Sequence, residues 1–306
     1  MRLLTVSAVL SLFAAPAQAE SPIVAVDIAP LHSLVAGVMQ DIGTPKLILP
    51  AATNPHSMAL RPSQAQELQG ADVVIWIGPQ LLPGFKDMIT SLAPNAISLP
   101  LAEEDDYDDH GHDDHGDHPH DKHDSHGHND HAHGHDHDHD PHAWLDPETS
   151  REWVHHIAQT LAVADPAHAA QYASNAKDTL ARIDAAEAQA IEILASAQGI
   201  PMLQEHDSLS LFAEHFGLIM AGSITGVDDL PPSAQHLQEL QHQAEDITCV
   251  LAEAGSDLRM ARTVFGDKDF TARTVLPMGD GQNLGPQYWG HTINDLARAI
   301  ADCVAG

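Results

Sequence analysis

The sequence predicts an α/β protein of two lobes, each a mainly parallel sheet flanked by helices, joined by one long connecting helix. Short apolar runs alternate with helix-like stretches before residue 100 and again after residue 199, which is typical of βαβ units. An uninterrupted amphipathic stretch separates the two series. The chain of 306 residues also exceeds one ordinary domain, so two hydrophobic cores are expected.

The first residues have the pattern of a secretory signal peptide. Arg2 precedes an apolar run over residues 3–15, and Ala17-Gln18-Ala19 fits the small-x-small cleavage pattern. The run is too short to span a bilayer as a helix. We therefore expect residues 1–19 to be removed after Ala19 and the mature protein to be periplasmic.

The first lobe is expected over residues 20–163. Its clearest strand is the continuous apolar run 72–78, of the kind buried on both faces of a parallel sheet. Ser63 and Gln66 resemble a capping box that starts a helix ending at Gly70. The other strands are expected at 23–28, 46–50 and 96–100.

The connecting helix is expected over residues 164–198. Asp165-Pro166 is a suitable start, and Gly199 a suitable stop. Between them, apolar residues recur at spacings of three and four, which places them in one stripe of a helix roughly 45 Å long. Two shorter helices with a kink are the alternative, but the stretch has no internal Gly or Pro.

The second lobe is expected over residues 199–306. Cys249 and Cys303 are the chain's two cysteines, and in an exported protein such a pair suggests one disulfide, the alternative being two buried thiols. Strands are expected at 200–203, 218–221, 248–252 and 274–278, and helices at 236–247 and 292–304.

Charge and histidine are concentrated in one segment. The formal net charge of −31 argues against nucleic acid and anionic membranes as partners. Residues 103–140, the histidine-acidic tract, hold fifteen Asp or Glu, one Lys and thirteen of the 24 histidines. We expect a disordered loop that binds several transition-metal ions weakly and exchanges them quickly. Its histidines are His110, His112, His115, His118, His120, His123, His126, His128, His131, His133, His135, His137 and His139.

Three other histidines stand out by their position. His56 follows the strand ending at Pro50, His142 closes the tract, and His206 follows the first strand of the second lobe. In open α/β sheets, ligands bind beyond the carboxyl ends of the strands. We therefore expect these histidines to meet in the cleft between the lobes and to hold one metal ion.

Several segments, in this order, resemble those of the ZnuA-type zinc-binding proteins, which belong to the solute-binding proteins of ABC transporters. The resemblance spans essentially the whole mature chain. The segments are Pro55-His56-Ser57-Met58-Ala59-Leu60-Arg61-Pro62-Ser63, Ala71-Asp72-Val73-Val74-Ile75-Trp76-Ile77-Gly78, Pro141-His142-Ala143-Trp144-Leu145-Asp146-Pro147 and His206-Asp207.

The resemblance implies that His56, His142 and His206 bind Zn²⁺ between the lobes. Three imidazoles leave the fourth position of a tetrahedral zinc ion open and favour zinc over manganese. Asp280 is a candidate for that position, although the local sequence departs from the family's Leu-Asp-Pro-Leu-Gly; water, or a simple turn role for Asp280, is the alternative. Asp146 and Asp207 are candidates to orient the ligands.

The resemblance also implies a function. The protein would be a monomeric, non-enzymatic component that captures Zn²⁺ in the periplasm and docks transiently on an inner-membrane ABC permease. Cys249 and Cys303 fall where the family has its disulfide. Alternatives are a periplasmic zinc buffer or metallochaperone and a manganese-binding importer component. A zinc hydrolase is disfavoured, since the sequence has no His-Glu-x-x-His and no Gly-x-Ser-x-Gly.

Overall fold

The structure is a computed structural model that describes residues 20–51, 55, 60–102, 140–227 and 229–306. The predictions for residues 1–19, for His56 and for the thirteen histidines of the tract lie outside the described residues. No helix in the described ranges is long and apolar enough to cross a membrane.

The first lobe contains a four-stranded parallel sheet with the order β2-β1-β3-β4. The two central strands are completely buried, which explains why their sequences are continuously apolar. The strands are β1 (Val24–Val26), β2 (Lys46–Leu47), β3 (Val73–Trp76) and β4 (Ile97–Pro100).

Helices pack against this sheet, and the core that they close continues into the second lobe, where it includes Met202, Phe212 and Leu251. The helices are α1 (Ala29–Val38), α2 (Pro62–Gln69), α3 (Phe85–Leu92) and α4 (Pro147–Ala164). The start of α2 differs from the prediction, because the N-cap is Arg61 and not Ser63. The Arg61 backbone N–H donates to the Gln64 side chain at 2.6 Å, and Pro62 takes the first helical position, where its missing N–H costs nothing.

One long helix, α5 (Ala169–Leu194), runs between the lobes and is extended by 3₁₀ turns at Pro166–His168 and Ala195–Ala197. Tyr172, Ile183 and Leu194 are buried on it, which agrees with the apolar stripe predicted for this helix. It crosses α1 closely: a Cβ on Gly37 would lie 2.5 Å from Thr179 Oγ1, so only glycine fits there.

The second lobe repeats the architecture, with a parallel sheet in the order β6-β5-β7-β8. The strands are β5 (Pro201–His206), β6 (Ile219–Thr225), β7 (Cys249–Glu253) and β8 (Thr271–Val275). The helices are α6 (Ser210–His215), α7 (Ala234–Gln243), α8 (Arg259–Phe265) and α9 (Tyr288–Ala305). The predicted fold class, two parallel-sheet lobes joined by one long helix, is confirmed.

A disulfide joins Cys249 to Cys303, as expected, and ties the first residue of β7 to the last turns of α9. Strand β8 starts three residues earlier than predicted. Its first residues are polar and partly exposed, and an apolar run cannot indicate such an edge strand.

Candidate metal centre

The second lobe contributes a histidine and a carboxylate from adjacent strands. His206 is the last residue of β5, and Glu253 is the last residue of β7. The two strands are parallel neighbours that pair from Met202 with Cys249 to Gln204 with Leu251. Because their carboxyl ends share one edge of the sheet, both side chains reach the cleft.

The first lobe contributes His142 through a tightly fixed turn. His142 precedes a 3₁₀ turn, Ala143–Leu145, which leads directly into α4. Asp146 caps α4 by accepting the backbone N–H groups of Glu148 and Thr149 at 3.3 and 2.8 Å. This cap holds the segment that carries His142, since it satisfies N–H groups that have no partner within the helix.

The two imidazoles face each other across the cleft. The Nε2 atoms of His142 and His206 lie 3.2 Å apart, and the residues are only 3% and 8% exposed. This separation is within hydrogen-bonding range. It is also close to the roughly 3.3–3.4 Å expected between two nitrogens bound to one tetrahedral zinc ion at about 2.0–2.1 Å.

Each imidazole has an acceptor at its other nitrogen. His142 Nδ1 lies 3.2 Å from Asp140 Oδ1, which also accepts the His142 backbone N–H at 2.8 Å. His206 Nδ1 lies 3.4 Å from Thr225 Oγ1 and 3.8 Å from Asp229 Oδ1. A proton on Nδ1 leaves the Nε2 lone pair available, which is how ligating histidines are normally oriented.

These acceptors differ from the expected ones. Asp207 accepts from Gln204 Nε2 at 2.8 Å and from the Ser210 hydroxyl. Asp146, besides capping α4, lies 2.9 Å from Nδ1 of His215. Asp146 and Asp207 thus have these other partners, and the acceptors behind the imidazoles of His142 and His206 are Asp140, Thr225 and Asp229.

A small cavity of about 20 Å³ lies at the histidine pair. That volume suits a single ion or water. Its lining residues are Pro55, His142, Trp144, His206, Glu253, Pro277 and Met278. Pro55 directly precedes His56 in the sequence, and the prediction for His56 itself lies outside the described residues.

Glu253 is the carboxylate of this cavity, and no motif in the sequence indicates it. Burial raises its pKa above the usual range; the hydrogen bond from Ser208 and the nearby His142 oppose the rise, whereas the charges of Asp229 and Glu205 add to it. Ser208 Oγ donates to Glu253 Oε1 at 2.9 Å. The position of Glu253 at the end of a strand beside β5 is the one signal that could have indicated it.

Comparison with known proteins identifies the family. The family model described as "Zinc-uptake complex component A periplasmic" matches residues 24–303. The chain belongs to this family. A "High-affinity zinc uptake system protein ZnuA" of Paracoccus denitrificans (strain Pd 1222) is 38% identical over 98% of this chain and 97% of its own length. The protein of the same name from Brucella suis biovar 1 (strain 1330) is 34% identical over 92% and 91%.

A solved structure shows the same fold. A crystal structure of ZnuA superposes with a TM-score of 0.71 at 21% identity, covering 92% of this chain and 99% of that one. The family assignment made from the sequence motifs is therefore confirmed by the family model and the relatives, and the two-lobed architecture by this superposition.

Asp280, the candidate from the ZnuA-type resemblance, does not line the histidine cavity. It lines a separate cavity of about 330 Å³ with residues such as Gln189 and His291, and its Oδ1 accepts the Gln282 backbone N–H at 2.8 Å. Within the described residues, no three His, Cys, Asp or Glu side chains are grouped closely enough to hold a metal ion. The described part of the site thus consists of two imidazoles with one carboxylate on the cavity wall.

Proposed function

We propose that this protein captures Zn²⁺ in the periplasm and delivers it to the membrane permease of an ABC importer. The observation that carries the proposal is the placement of two imidazole Nε2 atoms, one from each lobe, 3.2 Å apart in a buried cleft. Nitrogen ligands at this separation suit zinc. Membership of the zinc-uptake component A family and the names of the relatives support the same cargo.

The proposed ligands are His142, His206 and His56. Pro55 lines the cavity, and the residue that follows it in the sequence is the histidine that we propose as the third ligand. Residues 1–19 would direct export and be removed after Ala19. Binding and release would require no covalent chemistry, so we propose that the protein is a carrier and not an enzyme. We also propose that it acts as a monomer.

Release would follow from separation of the lobes. His142 belongs to the first lobe and His206 to the second, so a small rotation between the lobes lengthens the distance between their nitrogens. Binding would close the cleft, and docking on the permease would open it. The histidine-acidic tract would raise the local concentration of Zn²⁺ at the cleft without providing a fixed geometry.

The test is a chelator competition for the first equivalent of Zn²⁺. Replacing either His142 or His206 by Ala should weaken binding by at least about 100-fold, since loss of even an outer partner of a ligand costs about 10- to 100-fold. His155→Ala is the matched control, because His155 is exposed on α4 and should leave the affinity unchanged. Unchanged affinity in both ligand variants would disprove the assignment.

A manganese-binding importer component is the second candidate, since the cavity contains a carboxylate and carboxylates suit manganese. Metal analysis of protein purified without added metal, followed by direct competition between Mn²⁺ and Zn²⁺, distinguishes the two cargoes. A periplasmic buffer would bind zinc equally well but would not stimulate a reconstituted permease.

A further inference from the structure

The histidine cavity has one acidic residue on its wall. Of the seven lining residues, Pro277 and Met278 form the side contributed by the loop after β8 and are uncharged. Glu253 is the lining residue with a carboxylate. Asp280 lies in another cavity, so the loop that was expected to supply the anionic group supplies apolar surface.

The fold fixes the direction of the Glu253 carboxylate. The backbone of Glu253 is held at the end of β7, where it pairs with Val275 of β8. Its Oε1 accepts the Ser208 hydroxyl at 2.9 Å, and Ser208 is 2% exposed. Ser208 in turn lies two residues after His206, with its backbone N–H donated to the His206 carbonyl at 2.8 Å. One turn therefore positions both the imidazole and the carboxylate.

The charge of the cargo requires a group of this kind. Zn²⁺ bound by neutral imidazoles keeps both its charges, and burying uncompensated charge is costly. Asp140 and Asp229 lie behind the imidazoles, at Nδ1, and polarise the ligands without entering the cavity lining. A carboxylate on the wall would cancel one charge within the cavity itself.

We propose that Glu253 is the anionic group of the zinc site, facing the ion through one water molecule and favouring a doubly charged ion over a singly charged one. This inference rests on the proposed zinc-binding function and identifies the residue that sets its charge preference. Asp280 takes no part in binding.

The test compares a divalent with a monovalent ion in the full-length protein carrying Glu253→Gln. Zn²⁺ and Ag⁺, both of which bind imidazole nitrogen, are titrated by chelator competition for the first equivalent in chloride-free buffer. We expect the Zn²⁺ affinity to fall by about 100-fold and the Ag⁺ affinity by only about tenfold, because the Coulomb energy scales with the charge of the ion. A mere distortion of the cavity would lower both affinities equally.

Matched variants isolate the carboxylate. Glu205→Gln removes the same charge one residue before His206, but Glu205 Oε1 accepts the Ser256 hydroxyl at 2.6 Å, and alternation along β5 points it to the opposite face of the sheet. We expect an effect below about threefold that disappears at high salt, where charges beyond contact are screened. Glu253→Asp keeps the charge and should keep the wild-type ratio of Zn²⁺ to Ag⁺ affinity even if both affinities fall.

Two results would overturn the inference: an unchanged ratio of affinities in Glu253→Gln, or a loss of Zn²⁺ preference in Asp280→Asn. Neither depends on Glu253→Gln being as stable as the wild type, since the ratio is measured on the folded fraction. Failure of the proposed function has a different signature, because the wild type would then have no tight first equivalent that depends on His142 and His206.

Discussion

At the scale of single residues, Trp144 connects His142, the ligand proposed in the first lobe, to the loop after β8 in the second lobe. Its ring centroid lies 5.3 Å from that of His142, and its Nε1–H donates to the Pro277 carbonyl at 3.0 Å. The Trp144 carbonyl accepts the indole N–H of Trp289 at 2.7 Å. Trp144 is 1% exposed, so these contacts are shielded from water and hold the cleft closed around the cavity.

Trp144→Phe should therefore speed the release of zinc. The substitution keeps an aromatic ring but leaves the Pro277 carbonyl without its donor. Loss of this hydrogen bond should destabilise the closed cleft by about 1 kcal/mol, which corresponds to a roughly fivefold faster release of zinc. Stopped-flow mixing of the loaded protein with excess chelator measures the rate.

Trp76→Phe provides the control for this change. It removes an equivalent indole N–H bond, the one to Ser98 Oγ at 3.1 Å, but within the first lobe between β3 and β4. Its stability should fall by a similar amount while the release rate stays that of the wild type. Equal acceleration in both variants would show that general destabilisation, and not the contact between the lobes, controls release.

The sequence identified the histidines of the cleft more readily than the groups around them. His206 could be predicted because it follows an apolar run and so marks the carboxyl end of a strand, and His142 because it lies in the Pro141–Pro147 segment that resembles the family. Glu253 and Asp140 could not, since a Glu ending a strand and an Asp ending an acidic tract are common for other reasons. The position of Asp280 could not be predicted, because it depends on a loop in which Gly279 and Gly281 have positive φ.

At the scale of elements, an ionic chain centred on His215 connects α6 of the second lobe to α4 and α5. His215 Nδ1 lies 2.9 Å from Asp146 Oδ1, and its Nε2 lies 2.6 Å from Glu187 Oε1. Glu187 also pairs with Arg151 of α4. The hydrogen bond to Asp146, and then that to Glu187, raise the pKa of His215 despite its partial burial.

His215→Gln should destabilise the protein more at pH 6 than at pH 9. Because the folded-state pKa is raised, the stabilisation is complete below the unfolded pKa of about 6.5 and disappears as the pH rises through the folded value. We expect a loss of about 1 kcal/mol at pH 6, typical of a partly exposed ion pair, and a smaller loss at pH 9. Urea unfolding of the metal-free protein at both pH values measures the difference.

His155→Gln is the control, since His155 is exposed and joins no ion pair within the described residues. The carboxylate side of the same chain acts at lower pH. Burial favours the neutral form of Asp146, but hydrogen bonds from His215 and Thr149 outweigh it and lower its pKa to about 2. The stabilisation that Asp146 provides is present above its unfolded pKa and declines as the pH falls towards 2.

For His215, an equal loss of stability in His215→Gln at pH 6 and at pH 9 would exclude the protonated bridge.

Most strands were predictable from the sequence, including the edge strands β2, β4 and β6, but the bounds of β8 and the shortest helices were not. Strand β3 is buried throughout and reads as an uninterrupted apolar run, whereas β8 shows polar, partly exposed residues and was displaced by three residues. The short helices α6 and α8 have too few turns to produce a clear period. The cleft depends on β5 and β7, whose apolar residues are buried, so its location could be predicted from the sequence.

At the scale of the whole molecule, the disulfide and the proposed metal site lie at opposite ends of β7. Cys249 begins the strand and Glu253 ends it. Replacing both Cys249 and Cys303 by Ala should lower the free energy of unfolding by up to about 4 kcal/mol, because the bond closes a loop spanning 54 residues. The first-equivalent zinc affinity should not change, and a parallel loss of affinity would show that the bond also shapes the cleft.

The boundary between the histidine-acidic tract and the ordered site lies one residue earlier than its composition suggests. Asp140, the last acidic residue of the tract, contacts both the ring and the backbone N–H of His142 and its side chain is only 13% exposed. Deleting residues 103–139 should therefore remove the weak metal sites and keep one tight site. Deleting residues 103–140, or replacing Asp140 by Asn alone, should also weaken the tight site by about tenfold, the usual effect of losing the acceptor behind a ligating histidine.

Native mass spectrometry gives the number of ions bound to each deletion variant, and chelator competition gives the affinity for the first ion. A variant in which all thirteen tract histidines are Asn is the control for the loss of imidazoles alone. If the shorter deletion loses the tight site, the ordered cleft depends on the tract itself; if the two deletions bind zinc equally tightly, Asp140 has no role in holding His142.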